Sequence, residues 1–196
     1  MDQELKDLLE RCKADDRSAQ TALYRRFASK VFATALRYTD SRDEASDIAQ
    51  ESWIKVFRHL AKFKEFNSFE GWVRRITVNT AITHYRRNLK HRYHEDVTET
   101  LATPSDLAAS KKADFTMSEI QTAMAALPRG YRTVVQLYLV DGYAHKEIAD
   151  MLGVDVNTSK SQLSRGRKQL QAILAAMSQR AKPQSGLSSG AESTKI

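Results

Sequence analysis

Cysteine is almost missing: Cys12 is the only one in 196 residues. That excludes an internal disulfide framework and any metal cluster built on cysteines, and it suits a reducing cytosol. Proline and glycine are scarce as well, at 3 and 7 residues, too few punctuating residues for a turn-rich all-β fold. No apolar run approaches the roughly 20 residues that a membrane span needs, and the amino terminus, MDQELKDLLERCK, lacks the apolar core of a signal peptide. A glycine-rich phosphate loop, a G-x-S-x-G element and a nucleophile–base pairing are all missing. His84, His91 and His94 have neither a carboxylate cluster around them nor the spacing of a metal site, and they read as exposed or phosphate-facing. The expectation is a cytoplasmic, mostly helical protein that needs no cofactor and is not an enzyme.

What the chain does have is positive charge and helical periodicity. Lys and Arg number 31 against 24 Asp and Glu, a formal charge of +7, which favours an anionic partner. Hydrophobic residues at 41% and charged ones at 28% are a globular composition. Leu5, Leu8, Leu9 and Cys12 fall on one helix face. A second helix is predicted from Ser18 to about Tyr38, with Ala22, Leu23, Phe27, Val31 and Ala35 inward. Ser41 and Glu44 have capping-box spacing and open a third, Arg42 to about Phe63. Asn67 with Glu70 offers a similar start to a fourth, ending near Tyr93. Residues 94–113, HEDVTETLATPSDLAASKKA, are polar with no sustained apolar face and read as a linker. Helical order resumes at Thr116, again with Glu119 at capping-box spacing. Leu127-Pro128 divides two helices, and Gly142 and Gly153 are placed to end helices in the left-handed conformation. The expected architecture is all-α, two small helical domains on a flexible linker: 1–93, a linker over 94–115, 116–178, and a disordered tail over 179–196.

The most informative stretch is AHKEIADMLGVDVNTSKSQLSRGRKQL, residues 144–170. It reads as a short helix ending at Leu152, a turn through Gly153-Val154-Asp155, and a second helix. Ile148, Leu152, Val154 and Leu163 are the apolar residues of the pair, and Ala149 is small enough for a close crossing. That is the spacing of a helix-turn-helix, which places its second helix in the DNA major groove. The second helix carries Asn157, Thr158, Lys160, Ser161, Gln162, Ser164, Arg165, Arg167 and Lys168, with no acid from 156 to 170. Short polar side chains near its start suit base edges, and the later basic ones suit phosphates. An ordinary helical hairpin with a solvated basic face is the plain alternative. Ser159 sits where many such units bury an aliphatic side chain.

In the first half, Ala45, Ile48, Ala49, Trp53, Val56, Phe57 and Leu60 make the inward face of the third helix. Opposite lie Glu44, Asp47, Glu51, Lys55 and Arg58 around the apolar Ile54, either a protein-docking surface or a solvated face with i, i+4 pairs such as Glu51–Lys55. Phe66, Phe69, Trp72, Val73 and Ile76 lead into a helix on which Arg75, Asn79, Thr83 and Arg86 lie close to one line, with Arg87, Lys90 and Arg92 extending the charge. Basic residues among aromatics suit single-stranded or melted nucleic acid, although Phe66, Phe69 and Trp72 are also natural core residues.

Together these pieces resemble the sigma-70 family of bacterial RNA polymerase initiation factors, in its compact extracytoplasmic-function group. DEASDIAQESWIKVFRHL (43–60) and FEGWVRRITVNTAITHYRR (69–87) are similar to family region two, and residues 126–170 are similar to region four. The resemblance implies that Asp47, Gln50, Glu51 and Ile54 dock on the polymerase β′ clamp helices. It implies that the loop from Lys64 to Phe69, with Phe66, Asn67, Ser68 and Trp72, forms a pocket for a base flipped from the −10 element. Arg75, Asn79, Thr83, Arg86 and Arg87 would contact the same element. Lys146, Thr158, Lys160, Ser161, Gln162, Arg165, Arg167 and Lys168 would read or position the −35 element as duplex. The linker, with Glu95, Asp96, Glu99 and Asp106, would thread towards the polymerase active-centre and RNA-exit channels. Implied partners are core RNA polymerase through its β′ and β subunits, promoter DNA, and an anti-sigma factor of the kind that holds many members inactive. Neither a small-molecule substrate nor a metal or other cofactor is implied.

A stand-alone helix-turn-helix regulator explains residues 144–170 but leaves 42–93 without a purpose. A nuclease finds no catalytic constellation among the histidines. A helical adaptor binding only proteins does not account for the basic reading helix.

Overall fold

The computed structural model describes residues 3–64, 68–92 and 115–181, and every regular element among them is helical. None of these helices is long and apolar enough to cross a membrane. They form two compact units, one built on the first four helices and taking in Ala149–Val154, the other built on the remainder. Each is described by itself.

In the first unit, α1 (Gln3–Lys13) buries Leu5, Leu9 and Cys12, with Leu8 of the predicted stripe only partly buried beside them. The chain turns through Asp15 at φ 59. α2 (Arg17–Leu36) starts one residue before the expected Ser18, because Asp16 is its cap: the carboxylate accepts the N–H groups of Ser18 and Ala19. Hydrogen bonds from the Ser18 hydroxyl and from Arg11 hold this carboxyl well below the ordinary range. Leu23, Phe27, Val31 and Ala35 are inward as expected, but Ala22 is exposed. Ala19, four residues before Leu23, takes its place on the buried line.

α3 (Arg42–His59) forms half of its expected capping box. Ser41 Oγ accepts the Glu44 N–H at 3.3 Å, while the Ser41 N–H goes to Thr39 Oγ1 at 3.1 Å. The Glu44 carboxylate receives the Thr39 hydroxyl and the Asn88 amide instead. The helix stops at His59, short of the expected Phe63, because the chain tightens into a 3₁₀ turn over Leu60–Lys62. α4 (Phe69–Arg92) has the Ser68 hydroxyl as its starting partner, accepting the Gly71 N–H at 3.3 Å; the expected cap Asn67 lies outside the described residues. The core is rich in aromatics. Phe69 packs edge-on against Phe27 and Phe63 at 5.3 and 5.4 Å, and Trp53 lies between Tyr24 and Phe57. Among them the buried rings of Phe27, Phe63 and Phe69 each contribute about 1.5–3 kcal/mol through burial.

In the second unit, α5 (Met117–Ala125) opens with the full reciprocal box between Thr116 and Glu119. Pro128 caps α6 (Arg129–Val135). The buried Arg132 donates from Nη1 to the Ala125 carbonyl at 3.0 Å, closing the carboxy end of α5. α6 then widens into a π-helical turn, Gln136–Val140, that the sequence reading did not anticipate. α7 (His145–Leu152) and α8 (Val156–Ala181) follow, with Gly142 at φ 75 and Gly153 at φ 70 as their positions predict. α8 continues three residues past 178. It packs on α6 at a close approach: a Cβ on Gly166 would lie 2.7 Å from Val135 Cγ2. Most of the linker 94–115 and of the tail 179–196 falls outside the described residues.

Candidate functional site

Three surfaces carry the residues singled out by sequence. The first is on α3. Asp47 and Gln50 are exposed, and Ile54 leaves 57% of its surface to solvent, on the side of α3 opposite its buried face. Glu51 is different from its neighbours. Its carboxylate is half-buried, paired with Lys55 Nζ at 2.8 Å and with His84 Nε2 at 2.7 Å. The hydrogen bond from Lys55, then the one from His84, hold its carboxyl down at about 2. The i, i+4 pair expected from spacing is therefore formed, and His84, expected to be exposed, is half-buried against it.

These contacts belong to a polar ladder between α3 and α4. Lys55 Nζ donates to Thr80 Oγ1 at 3.0 Å, Glu51 meets His84, and the Asn88 amide donates to Glu44 Oε1 at 2.7 Å. Residues 80, 84 and 88 are four apart, so they line one edge of α4, and their partners run in the opposite sense along α3. The ladder fixes the α3 face against the helix that carries the second surface.

That second surface is the exposed strip of α4. Arg75, Asn79, Thr83, Arg86 and Arg87 all face solvent. From 75 to 86 the strip is about 16 Å long at 1.5 Å per residue, the length of about four or five stacked nucleotides. The Thr83 hydroxyl donates to the Asn79 carbonyl at 2.9 Å, so its oxygen faces a ligand as an acceptor only. Next to the strip, Lys64 and Ser68 are exposed, while Phe66 and Asn67 lie outside the described residues. Phe69 is core at 1% exposure. Trp72 is half-buried, its ring 5.3 Å from Phe63 and 5.8 Å from Phe69.

The third surface is α8. Ser159, Leu163 and Gly166 form its buried line. Lys160, Ser161, Arg165, Arg167 and Lys168 are exposed, and Thr158 and Gln162 half-buried, so the acid-free side faces outward. Asp155 Oδ1 accepts the Asn157 N–H at 2.7 Å and caps the helix start. Lys146 on α7 is exposed. Ser159, the polar residue at an apolar position, is fully buried and has His145 Nδ1 at 3.0 Å as its hydrogen-bond partner. Among the described residues no group of three or more His, Cys, Asp or Glu is placed to hold a metal ion.

Sequence reasoning missed His84 and His145, and neither had a local signal, since each partner lies far along the chain.

Residues 23–91 match the family described as Sigma-70 region 2, and residues 117–170 match Sigma-70, region 4. The ECF RNA polymerase sigma factor SigE of Mycolicibacterium smegmatis is 32% identical over 78% of this chain, which spans 60% of that relative's length. The ECF RNA polymerase sigma factor SigW of Bacillus subtilis is 29% identical over 89% of this chain and 98% of its own. A solved sigma factor, RpoE of Bartonella quintana in complex with the anti-sigma factor NepR, superposes with a TM-score of 0.48 at 19% identity, over 79% of this chain and 96% of that one. With both family regions present and in order along its length, the chain belongs to the sigma-70 family of RNA polymerase initiation factors, in its extracytoplasmic-function group.

Proposed function

We propose that this chain binds core RNA polymerase through the α3 face and directs initiation at promoters whose two elements it reads separately. Asp47, Gln50 and Ile54 make the direct contact with the β′ subunit, and Glu51 contributes a carboxylate already oriented by the ladder. The α4 strip, together with Lys64, Ser68 and Trp72 and with Phe66 and Asn67 of the segment that precedes α4 in sequence, holds the melted −10 strand. Guanidinium groups suit its phosphates, and Asn79 suits a base edge. α8 enters the major groove of the −35 duplex with Thr158, Ser161 and Gln162 towards bases and Lys160, Arg165, Arg167 and Lys168 towards phosphates, Lys146 adding charge from α7. Residues 1–93 and 116–178 are then the two functional domains and 94–115 the tether. Bond-making chemistry belongs to the polymerase, and the site of action is the cytoplasm. An anti-sigma factor acting on this chain would cover the α3 face.

The observation that carries this reading is Ile54, exposed between acidic and amide side chains in a unit that a DNA-binding module alone would not need. The test is run-off transcription with purified core polymerase on a promoter library. Start sites that appear only on addition of the chain, and that vanish with Asp47→Ala/Ile54→Ala through loss of core affinity, are the expected outcome. Specific binding to duplex DNA without polymerase, and no stimulated transcription, would instead identify a simple regulator.

A further inference from the structure

We propose that His145 is a positioning residue for the DNA-reading helix, acting through Ser159 to set the rotation of α8 and so the bases it selects. The inference rests on the assignment of α8 to duplex DNA.

A serine at 0% exposure, on the same buried line as Leu163, is costly unless its hydroxyl is paired. The partner is His145 Nδ1 at 3.0 Å, from the first residue of α7. The imidazole is in turn held by a stack on Tyr138, ring centroids 4.7 Å apart with planes 25° from parallel. Tyr138 stands in the π-helical turn. A directional contact thus fixes α8 at residue 159. Seven residues on, at Gly166, the helix backbone is fixed again by its close approach to Val135 and Tyr131. Two anchors two turns apart on one face define rotation about the helix axis as well as tilt.

Thr158 and Lys160 flank the first anchor, and Ser161 and Gln162 follow within a turn. A rotation at Ser159 therefore carries all four tips sideways, and hydrogen bonds to base edges are lost over displacements that phosphate contacts tolerate. An apolar contact at 159 would supply burial but no comparable directionality.

The experiment uses the full chain assembled with core polymerase and a promoter library randomised separately at the upstream and downstream elements. His145→Ala and Ser159→Ala are each expected to reduce the preference for the best upstream sequence over its single-base variants by about tenfold, the scale of one buried hydrogen bond. The double variant should lose no more than either single one, and His145→Asn, which keeps a polar group near Nδ1, should retain the preference. Core affinity and downstream preference should not move. A role confined to holding the fold would lower the thermal transition and weaken all upstream sequences alike. Unchanged upstream profiles, additive losses, or an Asn variant as impaired as the Ala variant would each overturn the proposal. Should His145→Ala fail to fold, Ser159→Ala, which removes one atom, decides alone. A wild-type complex with no upstream preference would overturn the DNA assignment of α8 itself, a result distinct from a selective wild type whose variants are equally selective.

Discussion

Glu51 shows how one side chain serves both packing and surface chemistry. Its carboxyl is held at about 2 by Lys55 and His84, against an ordinary value of 4.5. A depressed carboxylate stabilises the fold above its unfolded value, and that contribution fades as pH falls from about 4.5 towards 2. Glu51→Gln resembles the protonated state at every pH. It should therefore be less stable than the parent at pH 7, by about 1 kcal/mol or less for a pair this open to solvent, and the two should converge near pH 2. Urea midpoints measured from pH 2 to 7 check this, and parallel curves would mean the ladder contributes nothing. Gly166 sets two effects against each other. Alanine is the better helix former by about 1 kcal/mol, but its methyl would sit 2.7 Å from Val135 Cγ2 and 3.2 Å from Tyr131 Cβ. Val135 is buried and stiff at χ1, so overpacking of about 1–3 kcal/mol is the larger effect. Gly166→Ala should lower the melting transition of the second unit.

At the scale of elements, the proposed function gives α8 both base contacts and charge contacts, and these can be told apart. Lys160 and Arg165 are both exposed on its acid-free side. If both neutralise phosphates, Lys160→Ala/Arg165→Ala should reduce the slope of log K against log salt by about 2 and weaken binding to all upstream sequences. A loss confined to one base position would mark one of them as a base contact. Fluorescence anisotropy of the polymerase complex across a salt series measures it. The elements themselves were largely legible in the sequence, because their starts carry local signals. Thr116 with Glu119 is a capping box in both sequence and structure, and Gly142 and Gly153 end their segments with positive φ. Local signals also misled: Glu44 had the right spacing for Ser41 but found Asn88 44 residues away. The π-helical turn after α6, the close approach at Gly166 and the His84 and His145 contacts had no local signature, since each depends on which helix lies opposite. Helical periodicity marked many of the exposed residues of the three surfaces, while Gln50, Lys64, Ser68 and Lys146 came from the family resemblance. What periodicity could not show was that Glu51 and Ser159, one on each side of the chain's division of labour, are held by histidines.

For the whole molecule, the open issue is whether its two cores stand or fall together. Cys12 offers a reporter in the first unit alone. It is buried at 3% exposure, and burial pushes its thiol pKa up, so the native side chain is both shielded and short of thiolate. Labelling by a maleimide then requires α1 to leave Leu23, Phe27 and the rest of the aromatic core. Across a urea series, Glu51→Gln should bring Cys12 labelling to lower denaturant, because the ladder it weakens belongs to the same unit. Gly166→Ala should lower the second unit's transition, followed by the Tyr131 and Tyr138 signal, and leave the Cys12 midpoint where it was. This is the behaviour of two domains that each bury their own core, and under the proposed function it lets one hold a melted strand while the other holds a duplex. A Cys12 midpoint that follows Gly166→Ala downward would show one cooperative body, and promoter recognition would then have to be explained with the two reading surfaces locked rather than tethered.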